Sequence, residues 1–238
     1  MSRASTRPAT QCPVPTRADF APRRFRFVVF DWDGTLSDST AIIAYSLQQA
    51  CRDLGQPVPD DVDARFVIGL GLTDAIRHVA PGLPRERHSD LAACYRDHYL
   101  ARVEGIALYA GVEEMLAELD AAGFVLGVAT GKTRAGLARA LTQHGIGERF
   151  AVTRCADEGL PKPHPEMLTY LMGEVGAEPR ATLMIGDTTH DIELAHNAGA
   201  SALAVAYGAH AAADLERKAP LATVHSIAAL RAWLRSNA

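Results

Sequence analysis

The sequence predicts an α/β fold, a doubly wound parallel sheet with an inserted block of α-helices. Three observations predict it. Apolar runs of strand length recur along the chain, helical segments alternate with them after residue 109, and one wholly helical stretch, residues 39–103, interrupts the order. Such alternation implies right-handed crossovers with helices on both faces of the sheet. With 238 residues, 48% of them hydrophobic, the chain can bury a core of this kind.

The predicted elements follow one another along the chain. The first apolar run, residues 25–30, is typical of a buried parallel strand. The helical stretch after it carries apolar residues at helix spacing, and no convincing strand interrupts it. Beyond it the pattern predicts helix 111–122, strand 124–129, helix 133–144, strand 150–153, helix 164–176, strand 182–186, helix 190–198 and strand 202–206.

Composition divides the chain into three predicted parts. Residues 1–24 hold five arginines and four prolines against a single acid, which predicts a flexible tail. Residues 25–38 and 104–238 form the predicted core domain. Residues 39–103 form a small helical domain mounted above the strand ends.

The overall charge and the cysteines limit the classes of partner. A net charge of −4 without a dense basic stripe argues against nucleic acid and against an anionic membrane surface. No apolar run approaches the ~20 residues that span a bilayer. Four scattered cysteines indicate neither a disulfide framework nor a zinc site, so a reducing cytoplasm is the expected location. We expect a monomer or a homodimer that binds a small anionic molecule locally.

Two aspartates come directly after the first strand. Asp31 and Asp33 stand two residues apart, and Gly34 lets the backbone turn sharply beside them. An ordinary Asp-rich turn is the structural alternative. In open α/β sheets, however, the carboxyl ends of the strands hold the ligands. The motif therefore predicts an acidic site at that edge.

Three later features fit the same edge. Thr130 and Gly131 follow the second apolar run, Asp187 and Asp191 follow the third, and Lys162 stands between two prolines ahead of a helix. Each has a structural alternative: a threonine cap, an acidic helix start, or a solvated lysine in a proline-rich loop. Two carboxylates about 5 Å apart repel by roughly 3 kcal/mol at an effective dielectric near 20, so gathered acids need a cation. Hard oxygen ligands suit Mg²⁺.

The order of acids, hydroxyl, lysine and acids resembles the haloacid dehalogenase-like (HAD) hydrolase superfamily, in its phosphoglycolate-phosphatase-like branch. The resemblance runs from Phe25 to the carboxyl terminus. It implies a Rossmann-like core, a helical cap over residues 39–103, and hydrolysis of a phosphomonoester. It also implies that Mg²⁺ is held by the side chains of Asp31 and Asp187 and by the backbone carbonyl of Asp33.

The expected roles follow from the chemistry of each group. Asp31 is the expected nucleophile, because a carboxylate can attack phosphorus and form an aspartyl-phosphate. Asp33 is the expected general acid and base. Thr130 and Gly131 would bind phosphoryl oxygens. The resemblance implies that Lys162 pairs with Asp31 and the phosphoryl group, and that the remaining acid, Asp191, holds Lys162 or a metal-bound water from behind.

The helical cap is where substrate choice is expected. Its segment 68–73 contains two glycines and can form either a loop facing the site or a plain helix–helix turn. Sugar-phosphate mutases of the β-phosphoglucomutase type tend to carry an arginine where Leu72 stands, so the pattern favours a small ester such as 2-phosphoglycolate. A mutase, a pyrophosphatase and a non-enzymatic regulatory protein remain alternatives. Arg65 and Arg77 are candidate cap cations, and Lys132 would either contact substrate or be solvated.

Overall fold

A computed structural model describes residues 24–238, so the predicted tail lies outside the described residues apart from Arg24. Within the described range the strands are β1 (Phe27–Phe30), β2 (Val125–Thr130), β3 (Val152–Cys155), β4 (Thr182–Gly186), β5 (Ser201–Val205) and β6 (Thr223–Val224). They form one sheet in the order β3-β2-β1-β4-β5-β6, and every pairing is parallel. The predicted fold class is confirmed.

The first strand occupies the middle of the sheet, and all of its residues are buried. Phe30 pairs with Val128 of β2 on one side and with Ile185 of β4 on the other. Because the strands are parallel, the residues that follow these three meet at one edge of the sheet. This register brings together the segments that carry the predicted site residues.

Four helices make up the predicted cap: α1 (Thr40–Asp53), α2 (Asp61–Phe66), α3 (Leu72–Val79) and α4 (His88–Leu100). They share an apolar cluster separate from those of the sheet, centred on residues such as Leu47, Ile76 and Leu91. A cluster of its own is what a small domain needs to hold its shape. We propose on this basis that residues 39–103 form a cap domain on a core made of residues 25–38 and 104–238.

The remaining helices cover the two faces of the sheet: α5 (Val112–Ala121), α6 (Arg134–His144), α7 (Glu166–Val175), α8 (Thr189–Asn197), α9 (Ala212–Glu216) and α10 (Ile227–Asn237). Val28 and Phe30 point into a cluster with α5, α6 and α10. Phe27 and Val29 point to the opposite face, against α7, α8 and α9. This alternation is the two-residue period of a strand buried on both faces.

The predicted core elements match the observed ones to within two residues at each end. Three elements near the carboxyl terminus were not predicted: β6, α9 and α10. With only two residues, β6 is too short to show a period. The last helix does bury Ile227, Leu230 and Leu234 at helix spacing, so its pattern was available.

Trp32, between the two aspartates, is buried in the core and lies edge-on to Phe150, with ring centroids 6.5 Å apart. Across residues 24–238, none of the helices combines the length and the apolar character that crossing a bilayer requires.

One glycine exchange in the sheet and one in a helix should change stability in opposite directions. A Cβ added at Gly127 would lie 2.8 Å from the Phe27 ring, whereas one at Gly173 meets nothing within 4 Å. We expect Gly127→Ala to lower the free energy of unfolding by about 1–3 kcal/mol through overpacking. Gly173→Ala, on the exposed side of α7, should raise it by about 0.4–1 kcal/mol. Urea denaturation measures both, and shifts of equal sign would contradict the packing described for β2.

Candidate active site

Asp31 begins the site at the end of β1, where its side chain is almost fully buried. Its Oδ1 lies 2.8 Å from the Nζ atom of Lys162, and its Oδ2 has no hydrogen-bond partner among the described residues. Burial raises the pKa of Asp31 to about 7, although the Lys162 ammonium opposes that rise. A buried carboxylate oxygen without a partner is costly for folding and is therefore a candidate reactive or ligating atom.

Lys162 is the cation at the centre of the site. The loop between β3 and α7 buries its side chain completely, with Nζ 2.8 Å from Asp31 and 2.6 Å from Oδ1 of Asp191. Burial disfavours the charged amine, but the two carboxylates outweigh it and raise the pKa of Lys162 above its usual range. The lysine is thus a fixed positive charge. The alternative of a solvated lysine is wrong.

Asp191 lies in the first turn of α8 and serves two purposes. Its Oδ2 accepts from the backbone N–H of Thr188 at 3.1 Å and from the Thr188 hydroxyl at 2.7 Å, completing a capping box. Its other oxygen, Oδ1, accepts from Lys162. Helix capping and contact with the lysine therefore coexist in one side chain.

Asp187 follows β4 and is held from two sides. Its Oδ1 accepts from the Thr35 hydroxyl at 2.7 Å, and its Oδ2 from the backbone N–H of Ala209 at 2.7 Å. A Cβ at Gly34 or at Gly208 would lie 2.1 or 2.2 Å from that Oδ2, so glycine is needed at both positions. Burial raises the pKa of Asp187 well above its ordinary value, and neighbouring acids add to the effect.

Together these acids form a group that suits a divalent cation. Oxygen atoms of Asp31, Asp187 and Asp191 all lie within 4.8 Å of one another. Only one ammonium, that of Lys162, contacts this trio among the described residues. Three carboxylates against a single positive charge leave an excess of negative charge in a buried space, and all the donors are hard oxygens. The residues present therefore fit Mg²⁺.

Asp33 lies at the side of the site nearest the cap. Its Oδ1 accepts from Ser39 at 2.6 Å and faces the Nζ atom of Lys132 at 2.9 Å. Lys132 also donates to the Tyr99 hydroxyl at 2.8 Å, which joins α4 of the cap to the core. Burial opposes the charge on Lys132, but Asp33 and Tyr99 raise its pKa overall. Of the two alternatives for Lys132, the solvated one is wrong, because its side chain is only 9% exposed.

Thr130 and Gly131 stand at the end of β2, under the cap. The Thr130 hydroxyl oxygen accepts from the backbone N–H of Lys132 at 3.2 Å. Thr130 does not cap α6, since the cap is Thr133. A Cβ on Gly131 would lie 2.8 Å from the backbone oxygens of both Gly69 and Leu70. The segment 68–73 is thus both the turn between α2 and α3 and a loop facing the site.

Two core histidines hold the cap in this position. The Nε2 atoms of His190 and His210 lie 2.9 and 3.0 Å from the same acceptor, the backbone oxygen of Phe66 at the end of α2. His210 Nδ1 accepts from the backbone N–H of Thr189, which leaves the proton on Nε2. Burial lowers the pKa of both histidines, so the neutral forms that make these bonds are favoured.

A cavity of about 290 Å³ opens between cap and core beside Asp33. Gly131 and Lys132 line its core side, and apolar side chains of the cap line the other. Arg65 and Arg77, the candidate cap cations, are absent from its lining. Arg65 bonds to Asp61 and to Thr40, whereas Arg77 pairs with an acid on its own helix.

The sequence did not single out Thr35, Ser39 or Tyr99 as site residues. Thr35 and Ser39 lie within a few residues of Asp33, so closeness to the motif was a usable signal. Tyr99 carried no such signal, since it lies 33 residues from Lys132 along the chain and meets it only through the docking of α4.

The described geometry agrees with comparisons to known proteins. Residues 28–205 match the family model for haloacid dehalogenase-like hydrolases. The chain is 37% identical over 200 residues to the probable phosphatase IndB of Dickeya dadantii, covering 81% of this chain and 86% of that protein. It is 33% identical over 192 residues to the phosphoglycolate phosphatase of Yersinia pseudotuberculosis, covering 78% and 83%.

A solved structure gives the same fold at lower identity. A hydrolase from Pseudomonas syringae superposes with a TM-score of 0.80 at 21% identity, covering 88% of this chain and 96% of its own. The buried acid–lysine cluster, the parallel sheet beneath it and the match over most of the chain lead to one conclusion. The chain belongs to the haloacid dehalogenase-like hydrolase family, and it is a phosphatase.

Proposed function

We propose that the protein is a Mg²⁺-dependent phosphomonoesterase that acts through an aspartyl-phosphate on Asp31. The observation that carries this proposal is the buried Oδ2 of Asp31, which has no hydrogen-bond partner within residues 24–238 and stands in the acidic group beside Lys162. An oxygen without a hydrogen bond keeps its lone pairs available for attack.

In the first step, an oxygen of Asp31 forms a bond to phosphorus while the bond to the leaving alkoxide breaks. In this proposal Asp33 enters the step protonated on Oδ2, the oxygen that does not face Lys132, and gives that proton to the alkoxide. The resulting carboxylate then takes a proton from the water that hydrolyses the aspartyl-phosphate, which restores the acid. The Lys132 ammonium and the Ser39 hydroxyl, both on Asp33 Oδ1, support this role because they fix the orientation of the carboxyl group.

The phosphoryl oxygens are bound by groups on both sides of Asp31. The Thr130 hydroxyl accepts from a backbone N–H, so its own proton remains able to donate to a phosphoryl oxygen. Gly131 offers a backbone N–H at the strand end, and Lys162 offers a fixed positive charge. Asp191 holds Lys162 in place from behind.

The metal would be held by the side chains of Asp31 and Asp187 and by the backbone carbonyl of Asp33. When bound, Mg²⁺ would supply charge neutralisation for the approach of an anionic substrate to an anionic nucleophile. Thr35 and the backbone N–H of Ala209 orient Asp187 for this purpose.

For the substrate, we take 2-phosphoglycolate as the reference small ester, because several relatives are named for it. An intramolecular sugar-phosphate mutase is the runner-up, and Leu72 in the cavity wall, where mutases tend to carry arginine, counts against it. Pyrophosphate hydrolysis is a further alternative, and a regulatory protein without turnover would be expected to lack one of the acids.

A cytoplasmic location stays a prediction, supported by the free thiols of Cys51, Cys94 and Cys155. A monomeric or homodimeric state also stays a prediction.

We expect Asp31→Asn to lower kcat for 4-nitrophenyl phosphate by at least about a thousandfold, because an amide cannot act as the nucleophile. Steady-state kinetics with Mg²⁺ measures the loss. Asp214→Asn, an exchange of an exposed acid on α9, is the matched control and should keep the wild-type rate. Wild-type turnover by Asp31→Asn, in protein shown by circular dichroism to be folded, would refute the assigned nucleophile.

Removing Mg²⁺ should stop turnover and also lower stability, because the cation offsets the repulsion among the buried acids. In EDTA-treated protein, Mg²⁺ at about a hundred times its Kd should add about 2.7 kcal/mol of stability. Asp187→Asn should lose most of this increase, and Asp214→Asn should retain it. Thermal denaturation with and without Mg²⁺ tests the point without measuring activity, and an equal increase in all three proteins would place the cation elsewhere.

A further inference from the structure

The cavity beside Asp33 narrows the class of substrate. We propose that the alcohol part of the physiological phosphomonoester is a neutral, apolar group several carbons larger than glycolate, bound between cap and core. This inference rests on the proposed function and concerns the same site. It departs from the small hydroxy-acid ester that the sequence favours.

The position of Asp33 fixes which end of the substrate enters the cavity. Asp33 lines this space, whereas Asp31, Asp187 and Lys162 do not. Since Asp33 is the group proposed to protonate the leaving oxygen, the leaving alcohol must extend to its side of the phosphorus. The cavity is therefore the space available to the alcohol, and the phosphoryl group lies toward the acidic cluster.

The wall of the cavity is mainly apolar. The cap contributes aliphatic side chains from α1, from the α2–α3 turn and from α3, with Tyr95 of α4 beside them. Those that matter here are Ile43, Leu47, Val67, Ile68, Leu70 and Leu72. At about 290 Å³ the space approaches the ~300 Å³ lower limit of sites for drug-sized ligands. Glycolate, with two carbons, would leave most of this apolar surface in contact with water.

The charged groups of the wall do not suit a buried carboxylate. Lys132 already pairs with Asp33 and bonds to Tyr99. Arg96 and Arg139 also line the cavity, but both are exposed, so they lie where it meets solvent. A carboxylate next to the leaving oxygen would lose its hydration without gaining a free cation, which is costly.

A series of alkyl phosphates tests this proposal, because ethyl, butyl and hexyl phosphate have leaving groups of similar acidity and differ in apolar size. With the Mg²⁺-loaded protein we expect kcat/KM to rise at least tenfold from ethyl to hexyl phosphate. Each methylene that is fully buried can contribute up to about fourfold. We also expect hexyl phosphate to exceed 2-phosphoglycolate at least tenfold.

A flat series, or a preference for 2-phosphoglycolate, would overturn the inference and leave the proposed phosphatase standing. Failure to hydrolyse any of these esters, 4-nitrophenyl phosphate included, would overturn the proposed function and the inference with it. The two failures are thus distinguishable.

A pair of cap variants locates the preference. Leu72→Arg places a cation in the wall, so it should lower kcat/KM for hexyl phosphate at least tenfold and raise that for 2-phosphoglycolate. Val62→Arg makes a similar exchange on α2, at a side chain that is 75% exposed and absent from the cavity lining, and should keep the wild-type ranking. Thermal denaturation checks that both variants are folded. A wild-type ranking in folded Leu72→Arg would overturn the assignment of the cavity to the alcohol.

Discussion

The site depends on the placement of one ammonium group, that of Lys162, between the carboxylates of Asp31 and Asp191. All three side chains are buried, and a third carboxylate, that of Asp187, stands close by. A buried charge is tolerated only when it is paired in good geometry, and removal of one partner from such a group typically costs 3–5 kcal/mol. The surrounding loops are therefore held to one arrangement.

The order of strands supplies that arrangement. With β1 between β2 and β4, three consecutive strand ends deliver Asp31, Thr130 and Asp187 to the same edge. The lysine arrives from the loop before α7, and Asp191 comes from the first turn of α8. Such a concentration of like charge opposes folding of the metal-free protein. The cation proposed for this site would offset that repulsion.

The cap completes the site from above through polar contacts made by few residues. Lys132 of the core binds Tyr99 of α4 and Asp33 together, and two histidines of the core share the Phe66 carbonyl of α2. These contacts bring the apolar side of the cap to within reach of the proposed general acid. In the proposed mechanism, the same cap–core junction would set both the selectivity for the alcohol and the position of its protonating group.

The core was predictable from sequence because strand and helix periods are local properties. Buried parallel strands show as apolar runs, and the helices between them show their spacing. The acids at the strand ends followed from the rule that parallel strands end at one edge. With two residues, β6 carries too little local pattern to be predicted. The helices α9 and α10 lie beyond strand 202–206, the last segment of the predicted strand–helix alternation.

By itself, the sequence determined the fold class, the family and the set of acids, hydroxyl and lysine that the sheet edge brings together. Only the tertiary structure decided that Lys132 pairs with Asp33, that Tyr99 reaches it from the cap, and that Leu72 faces a cavity. The physical reason is that these contacts join segments that are far apart in sequence, and the number of residues between two segments does not predict how close they lie in the folded protein. They form only when α1–α4 dock on the sheet, and packing of whole elements leaves no period in the sequence.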